Sequence, residues 1–290
     1  SVIRRLEPHV TERARVLVNR LEPGEPVEFV STVAVPFPLQ IISDLLGIPD
    51  TDWERFFHWS EAMIPGALDL TAEERAAVQT EMRDYFMAEI AARRARPADD
   101  VISLLATVEV EGEVLTDDEL FMFLNQLLVA GNETTRNTIS GGLVELARRA
   151  DEWTRLREDR SLVPTAVDEI LRWTTAVVSF MRTATIDTEL AGQPIAAGDP
   201  VLMLYASANR DESQFGPTAD TFDVGREPNH HLAFGFGAHY CIGAALARLE
   251  IRVLLEMLLD RFATVQSAGE VTRSPSEIIA GVTRAPLVFG

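Results

Sequence analysis

Ten residues near the C-terminal end constrain this chain more than any other stretch. They are Phe234-Gly-Phe-Gly-Ala-His-Tyr-Cys-Ile-Gly243, and they hold its only cysteine. Three glycines, Gly235, Gly237 and Gly243, surround that sulfur. Without a Cβ, glycine lets the backbone come close to a flat or bulky partner. A thiolate is a soft, strongly donating metal ligand, and haem iron is one of the few partners that takes a single cysteine. Other readings of Cys241 stand beside this one. A free cysteine is often a small buried hydrophobe. A catalytic thiol needs a base placed by the fold, and His239 two residues away is no substitute for one. Zinc needs more ligands than one Cys and five scattered His supply, and no His-Glu-x-x-His occurs.

The whole loop resembles the cysteine-ligand segment of the cytochrome P-450 family, Phe-x-x-Gly-x-x-x-Cys-x-Gly. Phe234, Gly237, Cys241 and Gly243 fill its fixed places. The resemblance implies that Cys241 is the axial thiolate of a haem b (iron protoporphyrin IX). It also implies that Phe234, Gly235 and Gly243 lie against the macrocycle, and that the thiolate promotes O–O cleavage.

The chain has 290 residues, 47% of them hydrophobic, enough for a sizeable core. Its net charge of −19 argues against nucleic acid as a partner, since phosphate binding needs a basic surface. Every basic residue is arginine. The short clusters Arg93, Arg94, Arg96 and Arg148, Arg149 read as solvated helix faces. One cysteine permits no intrachain disulfide and fits a reducing compartment, so a cytoplasmic protein is expected. The longest apolar stretch, Phe121 to Gly131, is broken by Asn125 and Gln126 and is too short to span a bilayer.

Leu6, Val10, Ala14, Leu17 and Leu21 recur at helical spacing. A chain seldom opens without Met directly into a helix, so a natural N-terminus upstream of Ser1 is expected. Thr51-Asp-Trp-Glu54, Thr71-Ala-Glu-Glu74 and Thr116-Asp-Asp-Glu119 each fit a capping box. Pro164 suits the first turn of a helix running to about Trp173. Val108 to Val114 reads as a hairpin turning at Gly112. Beyond Trp173 come an alternating run from Arg182 to Leu190, a turn at Ala191-Gly-Gln and a short apolar strand from Pro200 to Tyr205. An irregular Pro-, Gly- and Asp-rich segment (209–229), the cysteine loop, an apolar helix over about 243–262 and short strands to Phe289 complete the chain. These elements predict a mainly α protein with small β-sheets, in one domain.

A second signal lies in a helix that breaks its own pattern. From Asp117, Leu120, Phe123, Leu124, Leu127 and Leu128 make one stripe. The stripe then meets Ala130-Gly-Asn-Glu-Thr-Thr135. Glycine inside a helix costs about 1 kcal/mol, threonine hydroxyls bond back to earlier carbonyls, and a buried carboxylate is costly unless bonded or protonated. An exposed polar patch or an interhelical loop would explain the same residues. Gly141-Gly142 suggests that the helix ends there. The family carries an Ala/Gly-Gly-x-Asp/Glu-Thr stretch in its long central helix, which continues past that point. The resemblance therefore maps the family's acid onto Glu133 and its alcohol onto Thr134, with Thr134 bonding bound oxygen and Glu133 helping to relay protons.

Glu169 and Arg172 form an i, i+3 pair, a spacing also present at Glu12/Arg15, Glu145/Arg148 and Glu152/Arg155. Only Glu169/Arg172 has the family's order, after the central helix and before the cysteine loop. There the pair joins an arginine of the irregular segment, matched by Arg226, in a structural role. Arg182 and His239 match the family residues that hold the haem propionates, against the plainer readings of an edge-strand arginine and a loop histidine. His231 is a looser candidate. The resemblance places Val129, Ala130, Val177, Val178, Ile278 and Ile279 around the substrate.

The resemblance extends from Ser1 to the tail and leaves out the family's N-terminal quarter, so residues 1–290 are expected to form a single P-450 domain lacking that part. It implies a bacterial-type monooxygenase that inserts one atom of O2 into a C–H bond of a small lipophilic substrate, of sterol, terpenoid or fatty acid class. No nicotinamide or flavin motif occurs. The electrons are therefore expected from a ferredoxin and an NAD(P)H-dependent ferredoxin reductase. A peroxide-dependent haem-thiolate enzyme would keep Cys241 without needing Glu133 and Thr134. A non-catalytic haem-binding remnant is the reading for a natively short chain.

Overall fold

The computed structural model describes residues 2–63, 70–110, 112–274 and 276–290. Ser1, at the expected helix start, and residue 111 of the expected hairpin lie outside them. The helices are α1 (Val2–Val18), α2 (Pro36–Leu46), α3 (Trp53–Met63), α4 (Ala72–Ala95), α5 (Val101–Thr107), α6 (Asp117–Arg148), α7 (Ala150–Glu158), α8 (Val163–Thr174), the single turns α9 (Tyr205–Ala208) and α10 (Glu212–Phe215), and α11 (Ala244–Arg261).

The strands are β1 (Pro26–Glu28), β2 (Glu109–Val110), β3 (Glu113–Val114), β4 (Ser179–Thr183), β5 (Thr188–Leu190), β6 (Gln193–Ile195), β7 (Pro200–Leu204), β8 (Val265–Ser267), β9 (Thr272–Arg273), β10 (Val282–Arg284) and β11 (Pro286–Phe289). All their pairings are antiparallel. β1, β11 and β8 form a three-stranded sheet, and the rest pair as β2–β3, β4–β7, β5–β6 and β9–β10. The protein is thus mainly α with small sheets.

Helix α6, 32 residues long, is the axis on which α2, α3, α4 and α8 pack. Its start is fixed by a complete capping box, Thr116 with Glu119, and α4 starts on another, Thr71 with Glu74. The third expected box does not form. Thr51 lies inside a 3-10 turn, Asp50–Asp52, that leads into α3. Leu21, expected on α1, falls beyond its end yet is still buried. The α6 stripe holds at Leu120, Leu124, Leu127 and Leu128, but Phe123 is exposed and Phe121 is buried in its place. The pairing of β4 with β7 covers little, and Leu202 and Leu204 remain more than half exposed.

The arginine clusters are more engaged than solvated faces. Arg93 reaches Asp100 at 2.8 Å and Glu89 at 2.6 Å and also donates to the Gly47 carbonyl. Arg94 bonds Asp117 and the carbonyls of Ala106 and Leu115.

Gly141 and Gly142 do not end α6; they let it approach α8. A Cβ on Gly142 would sit 2.6 Å from Ile170 Cγ2, and one on Gly141 2.6 Å from Thr174 Cγ2. The helical cost of two glycines is offset by a helix contact that no larger residue allows. Gly142→Ala is expected to lower stability by roughly 1–3 kcal/mol through overpacking. Denaturant unfolding should show this loss, and a second change, Ile170→Ala, should recover part of it.

Candidate active site: the Cys241 loop and the broken helix

The loop before α11 is built from tight local bonds. Gly235 and Gly237 adopt φ of +70° and +66°, and a 3-10 turn spans Gly237–His239. These left-handed positions suit glycine alone among the loop residues. The Cys241 N–H donates to the Phe234 carbonyl at 2.9 Å, closing the loop on itself. Phe234 packs against the core, and the Arg248 guanidinium lies over its ring at 4.6 Å. Arg248 in turn bonds Asp168 of α8 at 2.9 Å, and His231 meets the same carboxylate at 3.2 Å.

So His231 braces the loop from behind, and α8 and α11 hold the loop between them. The Arg248 and His231 contacts keep the Asp168 carboxyl below its usual range against the opposing effect of burial. Neither Asp168 nor Arg248 stands out in the sequence, because their pairing spans 80 positions of the chain.

The other side of the loop is bare. Cys241 is exposed, and Phe236 and Ile242 are each 84% exposed, with Tyr240 at 52%. An exposed thiol between large exposed apolar side chains is the surface expected of a cradle for a flat, apolar, metal-bearing group. A Cβ on Gly243 would stand 3.8 Å from the Cys241 sulfur, an ordinary contact. The residues present therefore fit a haem. Arg182, on β4, is half-exposed, and its guanidinium donates to the Met181 carbonyl, with no ion pair among the described residues. His239 is exposed on the loop turn.

In α6 the Ala130–Thr135 stretch is helical and mostly buried, neither a loop nor an exposed patch. Asn132 is fully buried, and its amide donates to Ser60 of α3 at 3.2 Å. Thr134 donates to the Ala130 carbonyl at 2.6 Å, the back-bond expected of a helical threonine; Thr138 and Ser140 make the same kind of bond one and two turns later. Glu133 is 4% exposed, and its Oε2 is buried without a hydrogen bond to any of the described residues. Burial pushes its carboxyl up to about 7, with nearby Glu61 adding to the rise and Arg136 opposing it. A carboxyl poised there exchanges a proton near neutral pH.

The expected substrate-lining residues fall in two groups. Val177 and Ile279 form an antiparallel bridge, and the Val178 N–H donates to the Ile278 carbonyl at 2.8 Å, so these four meet. Val129 and Ala130 lie on α6, one turn before Glu133 and Thr134. Glu169, Arg172 and Arg226 do come together, buried, with Arg172 donating to Glu169 at 2.7 and 2.8 Å and Arg226 at 3.2 and 3.3 Å.

Comparison with known proteins agrees with this geometry. Residues 27–287 match the family model for cytochrome P450. The chain belongs to the cytochrome P450 family. It is 43% identical to a methyl-branched lipid omega-hydroxylase of Mycobacterium tuberculosis, over all of this chain and 69% of that protein. It is 40% identical to a steroid C26-monooxygenase of the same species, over 92% of this chain and 73% of that one. The crystal structure of CYP109E1 from Bacillus megaterium in complex with testosterone superposes with a TM-score of 0.90 at 33% identity, covering 98% of this chain and 78% of that one.

This P450 is therefore an oxidoreductase of the monooxygenase type, in a family whose cofactor is a haem held by a cysteine thiolate. None of its described helices is long and apolar enough to cross a membrane.

Proposed function

We propose that this P450 hydroxylates an unactivated C–H bond of a lipophilic substrate of sterol or branched-lipid class, using haem b on Cys241 and electrons from a ferredoxin and its NAD(P)H-dependent reductase in the cytoplasm. Residues 1–290 would act within one P450 domain. The observation that carries the reading is the exposed Cys241 thiol flanked by exposed Phe236 and Ile242 on a glycine-shaped loop. Relatives named for steroid and methyl-branched lipid oxidation support the substrate class.

When bound, the haem supplies the activation of dioxygen and the oxidation of the C–H bond. This chain's residues supply the rest. Cys241 would supply the sulfur that holds the iron, and Phe234, Gly235 and Gly243 would shape its side of the cradle. Arg182 and His239 are free to hold the propionates, a task for which a planar guanidinium is suited. Thr134, whose hydroxyl donates to the Ala130 carbonyl, would turn that donor toward the reacting group, and Glu133 would replenish its proton. Val129, Ala130, Val177, Val178, Ile278 and Ile279 offer the substrate an apolar lining.

Binding of sterols or methyl-branched lipids should shift the Soret band of the haem-loaded protein. Product analysis should then find one added hydroxyl. Polar amino acids or sugars giving the same shift, with lipids silent, would end this reading. Thr134→Ala is expected to leave NAD(P)H consumption running while product falls about 100-fold or more, as measured by the ratio of product to NAD(P)H consumed.

A further inference from the structure

Arg136 is shared by two carboxylates of unequal claim. Its Nη1 reaches Glu61 on α3 at 2.8 Å, whereas its Nη2 stands 3.5 Å from Glu133, three residues back on α6. The side chains of Arg136, Glu61 and Glu133 are 10%, 14% and 5% exposed, so the competition takes place away from bulk water, where charges interact strongly. The shorter bond goes to the other helix. Glu133 is left with a distant cation and with an Oε2 that has no partner among the described residues.

The charged groups acting on Glu133 are Arg136 from its own helix and Glu61 from α3, with the Asn137 amide as the neutral neighbour. Next to this triad, the buried Asn132–Ser60 bond fixes the register of α3 on α6, and the Phe57 ring of α3 lies 6.0 Å from the Arg136 guanidinium. The position of Arg136 is thus set by how α3 sits.

We propose that Glu61 is a positioning residue for the α6 proton site: by holding Arg136 on α3 it withholds the cation from Glu133 and so keeps that carboxyl able to carry a proton. Any displacement of α3 that breaks the Glu61–Arg136 bond hands the guanidinium to Glu133 and fixes it as an ionised partner. Seating of α3 and proton supply are then one event. The inference deepens the role given above to Glu133 and rests on it.

The test reads Glu133 directly. Infrared difference spectra of the haem-loaded chain against Glu133→Gln isolate its carboxyl band, which wild type should lose with a midpoint near pH 7. In Glu61→Gln the midpoint should fall by about 1 pH unit or more, because Arg136 turns to Glu133 and a repelling charge is gone. In Arg136→Gln it should rise by a similar amount, about 1 pH unit. A merely structural role for Glu61 would not move the two midpoints in opposite senses. If Glu61→Gln does not fold, Glu61→Asp, whose shorter reach weakens its hold on Arg136, should give a smaller fall. An unchanged or raised midpoint in the Glu61 variants overturns the proposal.

Product yield per NAD(P)H should decline with rising pH as Glu133 loses its proton, and at lower pH in Glu61→Gln. A band that moves with a yield profile that does not would remove Glu133 from proton delivery while leaving the Glu61–Arg136 link intact.

Discussion

Cys241→Ser yields a folded protein that shows no long-wavelength Soret band when reduced under carbon monoxide, and its hydroxylation falls below detection. The expectation follows from the loop's construction. The Cys241 side chain is exposed, and the loop is closed by its backbone N–H donating to the Phe234 carbonyl, a bond that serine keeps. The fold of the polypeptide is therefore untouched, and the thermal midpoint of the haem-free variant should match that of the haem-free wild type. The lost group is the soft donor. A serine hydroxyl is a hard, protonated oxygen near neutral pH and does not reproduce the electron donation of a thiolate. A variant that retained the sulfur-type band would place the iron ligand elsewhere and sink the assignment.

Glu169→Ala should do the opposite, unfolding the protein without touching the chemistry. Glu169 is fully buried and accepts bonds from Arg172 and Arg226. It also accepts from the Asp223 N–H at 2.9 Å and from Asn229 at 3.1 Å. Arg172 spends its remaining donors on the carbonyls of Asn209, Ala219 and Thr221. One carboxylate thus fastens α8 to the irregular segment that leads into the cysteine loop.

Deleting it leaves two guanidinium groups buried without their anion. Breaking a buried pair from one side costs about 3–5 kcal/mol, against a total stability of about 5–15 kcal/mol for a domain. Most of the expressed protein should be insoluble, and the soluble remainder should unfold at a markedly lower urea midpoint. Glu12→Ala, with the same i, i+3 arginine spacing but an exposed pair, should shift that midpoint by nothing measurable. A similar response in both variants would contradict the structural role of the buried trio.

That contrast shows why the two pairs could not be told apart by spacing. Glu12/Arg15 and Glu169/Arg172 share one spacing; order along the chain singles out the second pair, and burial is what makes it costly to break. The same limit hid the Glu133/Arg136 pair. It has that spacing too, yet its meaning depends on Glu61, 75 residues away from Arg136. Gly141-Gly142 reads locally as a helix stop, because propensity is a property of the isolated segment. Ile170 and Thr174 of α8, pressed against those glycines, keep the helix running through them.

Chain order settled whatever could be written in short-range patterns. Those are the capping boxes that start α4 and α6, the helical period of the apolar residues, and a glycine-shaped loop around the sole sulfur. Each depends on neighbours within a few positions, so the local residues contain the whole cause. Packing in three dimensions set which carboxylates are dry, which arginine each one holds and which face of the loop is left bare. These depend on distances between residues far apart in the chain, and on the water that packing excludes from between them.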